Sequence, residues 1–132
     1  MLYVLATNST ERSAALCDYL EPRVDGTDVV HAVNSQRGGD TTTQRELDRG
    51  KDALAVVETR LSGLTDVETH QLVRGNSPAE DVLGFVERHD ADEVVMGIRK
   101  RSTTSKLLFG SVAQDILMNS DVPMRVVPVP EA

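Results

Sequence analysis

Short, continuous apolar runs alternate along the chain with longer stretches in which apolar residues recur every three or four positions. Leu2 to Ala6 (LYVLA) is apolar at successive positions, the signature of a strand buried on both faces. The polar tetrad Thr7-Asn8-Ser9-Thr10 ends that run and offers a helix N-cap. Ala14, Ala15, Leu16, Tyr19 and Leu20 follow at helical spacing until Pro22. Asp28 to Val33 reads as a second strand, and residues 34–42 (NSQRGGDTT) as a polar, glycine-containing loop. Leu47, Leu54, Val57 and Leu61 make the apolar face of a long helix that stops near Gly63. Val67 to Val73 alternates, as a strand near a sheet edge does. Gly75-Asn76-Ser77-Pro78 combines a turn, a cap residue and a proline at the first helical position. The next helix turns Val82, Leu83 and Val86 inward and ends around His89-Asp90. Glu93 to Met96, Ser111 to Asn119 and Met124 to Val129 then read as strand, helix and strand.

Regular alternation of strand and helix with short connections specifies βαβ units. The expectation is a single α/β domain over residues 1–132, with a five-stranded, mostly parallel sheet covered by helices on both faces. Such sheets collect ligands outside the carboxyl ends of their strands, where the strand order reverses. Candidate chemistry therefore lies at Thr7 to Thr10, after Val33, after Val73 and from Gly97 onward. With 14 Lys and Arg against 21 Asp and Glu, the net charge is −7. That balance argues against nucleic acid or an anionic membrane as a general partner, and it suits a salt-rich interior and plain solubility equally. The single Cys17 excludes an intramolecular disulfide, and its neighbours Ala14, Ala15 and Leu16 place it as a core thiol. The first residues carry no basic segment followed by a long apolar one, and no run reaches the length of a membrane span; a cytoplasmic protein is expected.

Against this acidic background, residues 96–114 (MGIRKRSTTSKLLFGSVAQ) stand out. Three consecutive cations, Arg99, Lys100 and Arg101, follow Gly97, and Lys106 adds a fourth before Gly110-Ser111 opens a helix. A glycine permits close approach of the backbone to a ligand, and a helix N-terminus favours phosphate through its dipole and unpaired N–H groups. The segment is no Walker loop, since Lys106 lacks a following Ser or Thr, and no G-x-G-x-x-G follows the first strand.

The spacing of Gly97, Lys100, Gly110 and Ser111 resembles the signature of the universal stress proteins: Gly, two residues, Gly, nine residues, Gly, then Ser or Thr. ATNSTERS is similar to that family's first loop, RGNSPAEDVLGFVERHDADEVVMG to its third helix and fourth strand, and SDVPMRVVPV to its closing strand. The resemblance implies a Rossmann-like fold of the adenine nucleotide alpha hydrolase type and a nucleotide site. Thr7, Asn8 and Ser9 would meet the nucleoside, Val33 would flank adenine, and Met96, Gly97, Arg99, Lys100, Gly110, Ser111 and Val112 would wrap ribose and phosphates. ATP, with Mg2+, or AMP is the implied ligand. It also implies a homodimer through Arg125, Val126, Val127, Pro128 and Val129, a strand whose apolar edge needs cover and whose prolines suit an edge. Two positions depart from the pattern. Asn8 stands where the family usually has Asp, and Lys100 where it has its second glycine. Lys100 either blocks a loop that needs positive φ or reaches phosphate as a point charge.

Elsewhere the bland reading prevails. His31, inside an apolar run, reads as a buried, hydrogen-bonded imidazole; His70 and His89 read as exposed, and no two histidines show metal-ligand spacing. Asp90 and Asp92 suit turn geometry. Ser13 and Ser111 have no evident Ser–His–Asp partners, and no residue qualifies as a general base, so at most slow ATP hydrolysis is expected. Two functions remain open: a regulatory nucleotide-binding homodimer, and a nucleotide-independent interaction module whose basic loop takes another anion or an acidic partner.

Overall fold

The computed structural model describes residues 1–100, 107–108 and 110–130. Arg101 and Lys106, two of the cations noted above, lie outside the described residues. The chain runs β1 (Leu2–Ala6), α1 (Thr10–Leu20), β2 (Val29–Gln36), a single 3-10 turn (Gly39–Thr41), α2 (Gln44–Leu61), β3 (Asp66–Val73), α3 (Pro78–His89), β4 (Glu93–Lys100), β5 (Leu107–Leu108), α4 (Ser111–Asn119) and β6 (Met124–Val129).

Side-chain oxygens start the first three α-helices. Ser9 caps α1, while Thr43 with Glu46 and Ser77 with Glu80 form reciprocal capping boxes at α2 and α3. Pro78 occupies the first turn of α3, where its missing N–H costs nothing. The helix ends at Asp90, whose left-handed backbone (φ 52°) turns the chain into β4.

The parallel strands lie in the order β3-β2-β1-β4-β6, so β1 and β4 flank the point at which the chain reverses its direction of travel across the sheet. This agrees with the expected five-stranded parallel sheet. β5 is an addition: two residues pair antiparallel with Arg99 and Lys100, beyond the end of β1. Two apolar layers follow from the strand alternation. Tyr3, Leu5, Val30, Ala32 and Val95 meet Leu16, Cys17, Leu20, Leu54, Val57 and Leu61 of α1 and α2. Val4, Val33, Val94, Met96 and Ile98 meet Val82, Phe85, Val86, Ala113 and Ile116 of α3 and α4. Cys17 is fully buried, and burial pushes its thiol up to about 11, which keeps it an unreactive core residue.

Three expectations need correction. β2 continues through Asn34, Ser35 and Gln36, which the sequence pattern assigned to a loop, because β3 pairs with them in register to Val73. β4 runs past Met96 to Lys100, so Gly97 lies inside a strand. The closing strand, β6, does not leave its valines bare. Val129 is buried, Val126 and Val127 pack on opposite layers, and Arg125 pairs with Glu93 while donating to the Tyr19 hydroxyl at 2.8 Å. What stays open on β6 is its outer backbone edge. Val94 N–H donates to Pro123 O, so by the alternation of a parallel ladder Arg125, Val127 and Val129 bond to β4, and Met124, Val126 and Pro128 face outward.

Candidate functional site

The carboxyl end of β1 is held by a buried polar framework. Thr7 N–H donates to Val33 O at 3.1 Å, and its hydroxyl lies 2.8 Å from that of Ser13, which donates to Ala53 O on α2. Asn34, fully buried on β2, donates to Thr7 O at 2.9 Å and accepts from Gln71 Nε2 at 3.1 Å. Ser13 and Asn34 thus fix the turn that presents Asn8. Ser9 is spent locally, since its hydroxyl accepts from Arg12 N–H as the N-cap of α1.

Above this framework lies a cleft of about 500 Å3 at the switch between β1 and β4, a size usual for small-molecule sites. Val33, Met96 and Ile98 form a buried apolar floor, and Val82 of α3 walls it. Asn8, Ser35 and Ser111 supply neutral polar groups, and Arg12 and Arg99 supply charge. Among the predicted residues, Thr7, Asn8, Val33, Met96, Gly97, Arg99, Gly110, Ser111 and Val112 all line this one cleft. Ser9 lines a smaller neighbouring hollow of about 360 Å3, which shares Asn8, Arg12 and Arg99 with the cleft and adds Glu11 and Arg49. Lys100 ends β4, its backbone paired with Leu107. An extended strand has no need of the left-handed conformation that glycine favours, so the backbone gives no support to a lysine block.

The two glycines of the signature do different work. Gly97 is constrained by packing: a Cβ there would lie 2.5 Å from Val129 Cγ2, and the Gly97 carbonyl accepts from Arg12 Nη1 at 2.8 Å. Among the described residues, no atom lies within 4 Å of a prospective Cβ at Gly110. It begins α4 with no side-chain cap, in contrast to α1, α2 and α3, so the first N–H groups of that helix remain available at the cleft.

Arg12 was not legible as a site residue. It sits in the first turn of α1, half-buried, and reaches across to β4. Burial holds its guanidinium below the ordinary arginine value, and the charge of Arg99 pushes in the same direction. Among the described residues, no carboxylate lies within salt-bridge distance of either arginine. Two unpaired like charges converging on a concave surface, one of them desolvated, favour an anion between them. Ser35 falls in the segment after Val33 where chemistry was expected, but was not singled out as a site residue because residues 34–42 read as a loop. Its hydroxyl donates to Asp81 at 2.6 Å, a buried carboxylate that also accepts from Asn76 at 3.1 Å.

One of the three histidines differs from expectation. His31 is buried as foreseen, but His70 is half-buried rather than exposed, with its Nε2 3.0 Å from His31 Nδ1. His89 is exposed, yet its ring stacks on Phe85 at 3.8 Å between centroids.

A parallel sheet of order 3-2-1-4, helices on both faces and a switch-point cleft define a doubly wound α/β protein. The sequence profile of the universal stress protein family matches residues 21–128, and the chain belongs to that family. A universal stress protein of Methanocaldococcus jannaschii is 30% identical over 84 residues, covering 64% of this chain and 49% of that protein. The chain thus spans about half the length of this curated relative. The solved universal stress protein of Archaeoglobus fulgidus is 31% identical, with a TM-score of 0.74 over 96% of this chain and 98% of that one. A universal stress protein from the same organism, solved in complex with dAMP, is 25% identical, with a TM-score of 0.68 and coverage of 96% and 97%. Among the described residues, no helix is long and apolar enough to cross a membrane.

Proposed function

We propose that the switch-point cleft binds an adenine nucleotide, AMP or Mg2+-bound ATP, and that the protein acts by binding rather than by turnover. The observation that carries this reading is the pairing of an apolar floor with Arg12, Arg99 and the uncapped start of α4 in one cleft. A flat, weakly polar base fits against Val33 and Met96, while the phosphates meet two guanidinium groups and free backbone N–H donors. The A. fulgidus structure solved with dAMP supports the ligand class. The described cleft side chains are neutral amides and hydroxyls, apolar groups and arginines, none of them a base poised near neutrality.

Calorimetric titration with AMP, ATP and Mg2+ tests the reading. Saturable binding is expected, together with its loss in Gly110→Val. That variant should keep its fold, because the added side chain meets no described atom at its first carbon. Absence of heat with every nucleotide would favour the interaction-module alternative.

We further propose that the protein is a homodimer through β6. Among the described residues, the outward N–H and C=O groups of Met124 and Val126 pair with no other strand, and an unpaired edge is a ready template for a second copy. Pro128, lacking an N–H, limits that ladder at one end. Val126→Pro removes an outward N–H without breaking a bond to β4. Sedimentation at micromolar concentration is expected to show a dimer for the parent chain and a monomer for this variant; a monomeric parent sinks the proposal.

A further inference from the structure

The sheet carries a second cluster of chemistry away from the cleft. In the β2–β3 ladder His31 is paired directly with Glu68, and His70 lies two residues further along the same strand. Strand alternation puts all three on one face, the face that α3 covers with Phe85 and His89. The donor atoms converge. His31 Nδ1 is 3.0 Å from His70 Nε2 and 3.3 Å from Glu68 Oε2, and one ligand atom from each residue lies within 4.8 Å of the others.

From these residues we infer that His31, His70 and Glu68 form a binding site for a borderline divalent transition ion of the Zn2+ class. A tetrahedral ion with metal–nitrogen and metal–oxygen bonds of about 2.0–2.2 Å places its ligand atoms roughly 3.3–3.5 Å apart, close to the separations seen here. Two imidazoles and one carboxylate are a donor set suited to Zn2+, Ni2+ or Cu2+ rather than to Mg2+ or Ca2+, which prefer all-oxygen shells. Glu68 provides the entry path: its side chain is 65% exposed at the edge strand, and it can swing to close the site once an ion arrives. Three protein ligands leave a fourth position for water, an exchangeable ligand.

The test is competition between the metal-free protein and a chromophoric chelator for Zn2+, with a parallel titration using Co2+. One equivalent of Zn2+ per chain is expected, with the intense visible absorption of low-coordinate Co2+. His70→Ala and Glu68→Gln should each weaken Zn2+ at least about tenfold. Thermal unfolding of the wild-type chain should rise with Zn2+, and the rise should shrink in both variants. If His70→Ala does not fold, Glu68→Gln carries the decision, since its exposed side chain contributes little to packing. Failure to compete for Zn2+, or unchanged affinity in Glu68→Gln, overturns the assignment and leaves an imidazole–imidazole hydrogen bond as the whole content of the cluster.

Discussion

Gly50→Ala is expected to destabilise the protein by about 2–4 kcal/mol, even though alanine is the better helix former by about 1 kcal/mol. Gly50 lies in the interior of α2, over the end of β2. A Cβ there would overlap the Asn34 carboxamide, at 2.6 Å from its Cγ, and would sit 2.8 Å from Gln71 Nε2. Asn34 cannot yield cheaply. It is fully buried, and its amide joins Thr7 O to Gln71, which donates in turn to Leu47 O at 2.9 Å. Displacing it adds buried, unsatisfied polar groups to the steric cost. The midpoint of urea unfolding reads the loss, and a double-mutant cycle identifies its origin. In Gly50→Ala combined with Asn34→Ala the overlap with the carboxamide disappears and only the end of the flexible Gln71 side chain must still shift, so the pair should cost clearly less than the sum of the single changes. Strict additivity, or a single variant that gains stability, would count against this account.

The same network explains what the sequence could and could not reveal. Strand and helix order was legible because the interior strands are continuous apolar runs and two helices begin at caps the pattern signals: Ser77 before Pro78, and one of the tetrad Thr7 to Thr10, which the structure identifies as Ser9. Ser111–Asn119 and Met124–Val129 were read with their observed boundaries. The end of β2 was not legible, since Asn34, Ser35 and Gln36 have the polarity of a loop. They remain in the strand because partners distant in sequence satisfy them: Thr7, Gln71 and Asp81. Arg12 was hidden for a related reason. A cation in a first helical turn looks solvated until Gly97 O, 85 residues away, is placed beside it. The histidine cluster depends on the β2–β3 register, which joins residues 39 apart and leaves no local spacing to detect. Gly97 and Gly110 of the glycine signature both line the cleft, but the spacing did not separate their parts. Gly97 is demanded by Val129, whereas a Cβ at Gly110 meets no atom of the described residues.

Arg12→Met is expected to weaken AMP or dAMP by about ten- to a hundredfold while changing the stability of the ligand-free protein by no more than about 1 kcal/mol. Loss of a hydrogen bond to a charged group accounts for roughly 1.5–3 kcal/mol, which is the same range of affinity. Methionine keeps much of the buried stem, so packing is largely preserved. In the free protein the substitution removes the bond to Gly97 O, but it also relieves a desolvated charge and its repulsion from Arg99. The opposing effects on folding should nearly cancel, whereas those on phosphate binding should not. Adenosine separates the phosphate from the base: its affinity should be the same in Arg12→Met and the parent chain, because the apolar floor of Val33 and Met96 is untouched. Arg99→Met should act in the same direction on AMP, and the salt dependence of AMP binding should become shallower in both variants. An equal loss for adenosine and AMP would instead assign Arg12 to the shape of the cleft. An unchanged AMP affinity would remove the arginine pair from the phosphate site and shift the anion to the start of α4.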